Sequence, residues 1–473
     1  MKKSLRIACL LGGVVLFLLC YLFIPSSVLE TRESRAAIGV VVWMAFWWVT
    51  GPVDYAVTAF LPIALNALFQ ITDMSSVIAN YASETILLLL GASIITASWE
   101  ETGLDKRLAS KFLGIIGNNF RTQIIFWFML SCMLSAILPN AVVCATVTPI
   151  AVAMLKYCGE GEIAKSKKGS KLLLTIAYAT GLGGLATPLG GAMNLVTVDY
   201  LQQVTNTEYM YGSWVIRFLP IMCVLVISNL LFMLRDVKKE DYLGKSKEFF
   251  QEEYSRLPKM SYEEVFVLSL FLIATVLAFT RQFYQTILPG LKPAYVFIIC
   301  AILSFVVTKK DGRKLMVWQN VQKKIVWDLI FVFAGGLAVG TLINGSGVAN
   351  AIGVLVADMG LKGGFGTVVV IIVVTLLLSD VTSNTATAAV AMPIVISIVQ
   401  GIGQNPIPYI YIASIGVNLS YMLPTSIRAI PVGYGLSPRY MLKEGWKITL
   451  IVIVLMSVLS WGLLEYWDKF STI

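Results

Sequence analysis

The chain has 473 residues, of which 57% are hydrophobic and 13% charged, against a charged share of roughly 25% in an ordinary soluble domain. That composition excludes a soluble globular protein. Lys and Arg outnumber Asp and Glu by 36 to 27, and because the charges fall between long apolar runs the excess reads as membrane topology, not as nucleic-acid binding.

The sequence contains no histidine, which removes Ser-His-Asp and HExxH chemistry together with the commonest proton relay. Seven cysteines (Cys9, Cys20, Cys132, Cys144, Cys158, Cys223 and Cys300) without CxxC spacing read as free thiols packed among apolar side chains.

Windows free of Asp, Glu, Lys and Arg cover 7–29, 36–53, 55–72, 85–99, 122–155, 172–198 and 218–234. They resume at 265–280, 294–308, 329–356, 363–379, 381–427 and 448–464. At about 20 residues per crossing, ten to twelve spanning helices fit this map. The opening segment, with Lys2, Lys3 and Arg6 before a long apolar core and no convincing cleavage pattern, reads as a retained helix whose amino terminus is cytoplasmic. Segment 104–116, with Asp105, Lys106, Arg107 and Lys111 on one side, reads as an interfacial amphipathic arm. Two further loops, 156–171 with five lysines and 235–259 with thirteen charged residues, are expected in the cytoplasm. The aromatic residues near window ends (Trp47, Trp48, Tyr55, Trp214, Trp461, Tyr466) read as an interfacial belt.

Windows 122–155 and 381–427 are too long for one helix and are interrupted by Pro, Gly, Asn and Ser. Non-helical backbone at membrane depth survives only where protein or a water-filled cavity satisfies it, so these windows predict re-entrant hairpins around an internal cavity. The two halves also share a register: Gly91 and Gly335, Gly103 and Gly347, Asn140 and Asn384, and Pro149 and Pro393 are each 244 positions apart. A duplicated broken-helix motif points to a secondary transporter with its site where the motifs meet. The expected organisation is an opening helix over 1–33, a first repeat over 34–235, a charged cytoplasmic linker over 236–261 and a second repeat over 262–473.

Ser383-Asn384-Thr385, just after Asp380, heads an apolar helix, where free N–H groups and the positive dipole end make an anion site. As a plain N-cap the triplet would also make sense. Its first-half counterpart is Pro139-Asn140-Ala141, which keeps only the asparagine. Two loops follow: one offers Thr187, Gly190, Gly191 and Asn194, the other Pro424, Thr425, Ser426 and Arg428. Arg428 ends the longest charge-free window; its guanidinium either forks onto a substrate carboxylate or snorkels to headgroups. Asp380 pairs with a cation, pairs with Arg428, or simply lies at a hairpin mouth.

The stretches "ETILLLLGASIITASWEETGLDKRLA" and "TSNTATAAVAMPI", with the glycine loop 183–194, resemble the divalent-anion:sodium symporter family of dicarboxylate, citrate and sulfate carriers. The resemblance covers nearly the whole chain. It implies an all-α polytopic membrane protein of about eleven transmembrane helices, with two inverted repeats, two re-entrant hairpins, a homodimer in the cell membrane and elevator-type alternating access. It implies substrate groups at Asn140, Ser383, Asn384, Thr385 and Thr425, to which Thr187 and Arg428 are added from the loops. Sodium, the one cofactor implied, would be held by Ser135, Asn140 and Gly190 at one site and by Ser379 and Asn384 at another.

The sequence departs from the family pattern at Pro139 and Ala141 and at 427–430, where Ile-Arg-Ala-Ile replaces TPPN. In sodium-coupled members bound cations neutralise the dianion and travel with it, whereas an arginine cannot leave. An unpaired buried charge is penalised on an empty return, so the expected function is exchange of one C4 or C5 dicarboxylate (the succinate, malate and 2-oxoglutarate class) for another. Sodium-coupled symport is the alternative, and a cation or arsenite antiporter a more distant one, since it calls for acids in both hairpins and only Asp380 is present. An enzyme is not expected.

Overall fold

A computed structural model describes residues 3–105, 107–108, 117–256, 259–309, 312–348 and 363–473. The expected amphipathic arm over 104–116 falls largely outside these residues. Among the described residues the chain is helical throughout, with only two isolated β-bridges. In chain order the helices that build the site are α1 (Lys3–Phe23), α2 (Arg32–Thr50), α3 (Leu61–Phe69), α4 (Glu84–Thr102), α5 (Phe120–Ile137), α6 (Asn140–Tyr157), α7 (Lys167–Gly184), α8 (Ala192–Thr205) and α9 (Tyr211–Leu234). There follow α10 (Ser246–Arg256), α11 (Tyr262–Phe279), α12 (Pro293–Val306), α13 (Trp327–Gly345), α14 (Phe365–Val381), α15 (Asn384–Gly401), α16 (Pro406–Asn418) and α17 (Pro438–Tyr466). Nine helical stretches among the described residues are long and apolar enough to cross a membrane, and three shorter apolar ones accompany them. Leu5, Leu11, Leu18, Leu22 and Phe23 of α1 lie exposed, as expected of a helix whose outer face meets lipid rather than water.

Both over-long windows break where local chemistry demands it. Leu138 precedes a proline and is therefore pushed into extended backbone, with φ −106° and ψ 152°, so α5 stops there and α6 restarts at Asn140. In the second half Thr382 is extended, and the Ser383 hydroxyl accepts from the Ala386 amide at 3.1 Å to cap α15. The helix ends recur at the offset read from the sequence: Ile137 and Val381, Asn140 and Asn384, Tyr157 and Gly401 are each 244 positions apart.

The duplicated glycines have a packing reason. A Cβ on Gly91 would lie 2.9 Å from the Phe297 backbone carbon in α12, and one on Gly335 would lie 2.6 Å from the Ala59 carbonyl oxygen. Each therefore lets α4 and α13 approach a neighbouring backbone closely. Gly183 of α7 likewise sits against the Cys132 backbone of α5, and Gly416 of α16 against Thr375 of α14.

Two expectations change. Trp48 is 1% exposed with its indole donating to the Tyr55 carbonyl, and Trp214 is fully buried, stacked on Phe218 and donating to the Leu185 carbonyl. Both are core residues rather than members of a belt, because each indole N–H finds a backbone acceptor inside. Nor is the charged linker a loose loop. Helix α10 docks on α5 and α6: Phe250 is 1% exposed with its ring 6.1 Å from Trp127, Gln123 donates to the Ser246 hydroxyl at 3.0 Å, and Tyr157 donates to Glu252 at 3.0 Å.

Candidate functional site

The two helix restarts face one cavity of about 100 Å³, lined by Pro139, Asn140 and Ala141 from one tip and Asn384 and Thr385 from the other. The backbone amides of Asn140, Ala141, Asn384 and Thr385 have no acceptor among the described residues, as the first turn of a helix dictates. Two positive helix ends with unpaired donors thus point into the same space, an arrangement suited to an anion. Ser93, Thr96 and Glu100 of α4, Met193 of α8 and Ser426 complete the polar and soft parts of the wall.

Behind each tip the two halves repeat one hydrogen-bonding scheme. Ser135 donates to the Thr180 carbonyl at 2.6 Å and Ser379 to the Val417 carbonyl at 2.5 Å. Thr187 donates to the Ala136 carbonyl at 2.5 Å, and Thr425 to the Asp380 carbonyl at 2.9 Å. Thr187 and Thr425, both extended, precede short 3-10 turns, Pro188–Gly190 and Ser426–Arg428, so Gly190 and Arg428 hold equivalent places.

Those two places differ completely in content. A Cβ on Gly190 would lie 2.6 Å from the Ser135 carbonyl oxygen, and one on Gly184 would lie 3.1 Å from the Gly190 carbonyl and 3.3 Å from the Asn140 side-chain nitrogen. Ser135, Asn140 and Gly190 are therefore packed closely together, with the Ser135, Gly184 and Gly190 carbonyl oxygens among the contacts. In the second half the Arg428 side chain fills the corresponding region. Its Nε donates to the Leu423 carbonyl at 2.9 Å, Nη2 to the Thr425 hydroxyl at 2.6 Å, and Nη1 to the Ser420 carbonyl at 3.1 Å and to the Ser420 hydroxyl.

Asp380 grips the other edge of the same segment, its Oδ1 accepting from the Tyr421 and Met422 amides at 2.8 Å each. Arg428 is 2% and Asp380 1% exposed. The guanidinium neither snorkels outward nor lines the cavity; Ser426 and Ile427 stand between. Ser426 holds a φ of +53°, a region that costs a non-glycine residue about 1 kcal/mol or more and is tolerated where the surroundings impose it.

Of the residues expected at the site, Asn140, Asn384 and Thr385 line the cavity. Ser383 caps its helix, Thr187 and Thr425 sit in the layer behind, and Ser379 and Asn384 approach one another through the 417–420 backbone, Asn384 accepting from the Ser420 hydroxyl at 3.2 Å. Missed in the sequence were Ser93, Thr96 and Glu100, whose spacing places them on one face of α4, and Lys324. Lys324 bonds Glu100 at 3.3 Å and Glu101 at 3.0 Å. Burial alone would lower its pKa, but the bond to Glu101 and the charges of both glutamates outweigh that and hold it above the usual lysine value.

Residues 45–416 match the model of the citrate transporter family. The chain belongs to that family. The sodium-dependent dicarboxylate transporter SdcS of Staphylococcus saprophyticus is 28% identical over 476 residues, covering 96% of this chain and 91% of that protein. Its counterpart in Staphylococcus aureus is 29% identical over 478 residues with the same coverage. Two solved transporters share the fold at 12% identity. The YdaH transporter of Alcanivorax borkumensis gives a TM-score of 0.55, covering 86% of this chain and 90% of its own. MtrF of Neisseria gonorrhoeae, titled as illuminating a class of antimetabolite efflux pumps, gives 0.53, covering 95% and 97%. This multi-pass membrane protein is thus a transporter by family.

Proposed function

We propose that the protein carries C4 and C5 dicarboxylates across the cell membrane by exchange, as a homodimer with an amino terminus in the cytoplasm and two inverted repeats working by an elevator-type movement. The carrying observation is the pair of helix amino termini, at Asn140 and at Asn384, that open on one cavity. Two positive ends held apart in a low-dielectric wall suit two carboxylates joined by a short chain. The names of the SdcS relatives agree with that substrate class.

Exchange rests on Arg428. Where the first half has Gly190 packed among backbone carbonyl oxygens, the second holds a cation that is covalently tethered and cannot dissociate with substrate. The reading of a cytoplasmic amino terminus rests on Lys2, Lys3 and Arg6 before the first apolar run and on the lysine-rich 156–171 loop.

A second reading, sodium-coupled symport, is favoured by one observation: the convergence of Ser135, Asn140 and Gly190 is intact. Uptake of labelled succinate into proteoliposomes separates the two. Exchange requires uptake into succinate-loaded vesicles that is indifferent to sodium, with little into empty ones. Sodium-driven accumulation in empty vesicles establishes symport through the first-half site and removes exchange.

A further inference from the structure

The cavity at the two tips is continuous in its lining with a second, wider one of about 550 Å³, whose wall includes Glu100, Asp105, Thr146, Pro149, Phe249 and Phe250. Lys324 and Glu100 line both, and they are the only charged side chains among the residues lining the tip cavity. A solute moving between the wide vestibule and the tips therefore passes this pair. Glu100 sits in the last turn of α4; Lys324 precedes α13, the helix that corresponds to α4 in the other half.

We propose that Lys324 is a transfer residue: it takes one carboxylate of the incoming dianion in place of Glu100 and hands it to the helix ends at Asn140 and Asn384. The inference rests on the anion-carrier reading above and goes beyond it by naming a residue outside the tip site. Three features argue for it. The ammonium is bound by Glu100 through one contact at 3.3 Å, without the bidentate fork that would fix a guanidinium, and its four-carbon stem leaves it free to swing. Side-chain exposures of 27% for Lys324 and 43% for Glu100 mean that water screens the pair, so breaking it costs little. Glu101, at 3.0 Å, stays as a second partner, so the ammonium is never stranded while substrate moves on. Glu100 thus occupies the position a substrate carboxylate would take beside Lys324.

The test is the kinetics of succinate transport in proteoliposomes for the wild type, Lys324→Gln and Glu100→Gln, with folding followed by size-exclusion profile and thermal unfolding. Loss of a charge-assisted contact on the entry path is expected to raise KM for Lys324→Gln about tenfold with the maximal rate nearly kept. Glu100→Gln removes the competitor and is expected to lower KM. A structural role for the pair would instead raise KM, or lower the melting temperature, equally in both variants; that result overturns the inference, as does an unchanged KM in Lys324→Gln. Failure of the anion-carrier reading itself is separate: the wild type then shows no saturable succinate transport.

Discussion

The two loops behind the helix tips share a scaffold and differ in charge. Thr187 and Thr425 make the same bond to the residue that ends the preceding helix region, and Ser135 and Ser379 make the same bond to the helix behind. On that common frame the first half carries Ala136 and Gly190 where the second carries Asp380 and Arg428. Acid and base hold opposite edges of the 420–423 segment instead of touching one another. The first loop packs its glycine among backbone carbonyls; the second encloses its own cation. The two halves carry one hydrogen-bonding scheme, and in the second it holds a fixed charge.

The contrast is broken most directly at Arg428. Arg428→Met leaves the Ser420 and Leu423 carbonyls and the buried Asp380 carboxylate without a compensating cation, and stripping one member from a buried charge pair costs about 3–5 kcal/mol. Thermal unfolding in detergent should show that loss, and adding Asp380→Asn to the same chain should recover part of it. A stable single variant with wild-type exchange would dissolve the distinction between the halves. Gly190→Ala is expected to act next most strongly. Its Cβ would lie 2.6 Å from the Ser135 carbonyl oxygen, so overpacking of about 1–3 kcal/mol should accompany loss of any sodium response. The smallest effect sharpens the comparison: Thr187→Val removes one donated bond, Thr425→Val removes one donated and one received from Arg428. At about 1 kcal/mol per net bond, the second substitution should destabilise about twice as much as the first.

Much of this was readable in the sequence because membranes punish irregular backbone. Pro139 and the Ser383-Asn384 restart had to be protected inside the protein, and the common offset of 244 paired them before any coordinates existed. The asparagines of both tips followed from that pairing, and Thr385 from the Ser383-Asn384-Thr385 motif. Other features were invisible for a physical reason. The partners of Arg428 are carbonyls of its own loop, and hydropathy says nothing about which backbone oxygens a guanidinium meets. Lys324 and Glu100 are more than 200 positions apart, each ordinary on its own, and only folding makes them neighbours. The linker composition, thirteen charges in 25 residues, led to a cytoplasmic placement and said nothing of docking, yet Phe250 within it is buried against Trp127.

Gly183 lies on the backbone of Cys132, and Gly416 against Thr375. In mechanical terms the Gly183 contact is a weld between α5 and α7, backbone on backbone with no layer of side chains that can shear, whereas at Gly416 the Thr375 side chain forms the joint between α14 and α16. Close packing of the backbone-on-backbone kind resists sliding, so the first tip is stiffly tied to α7, and the Asn140 amide keeps a fixed place relative to that helix.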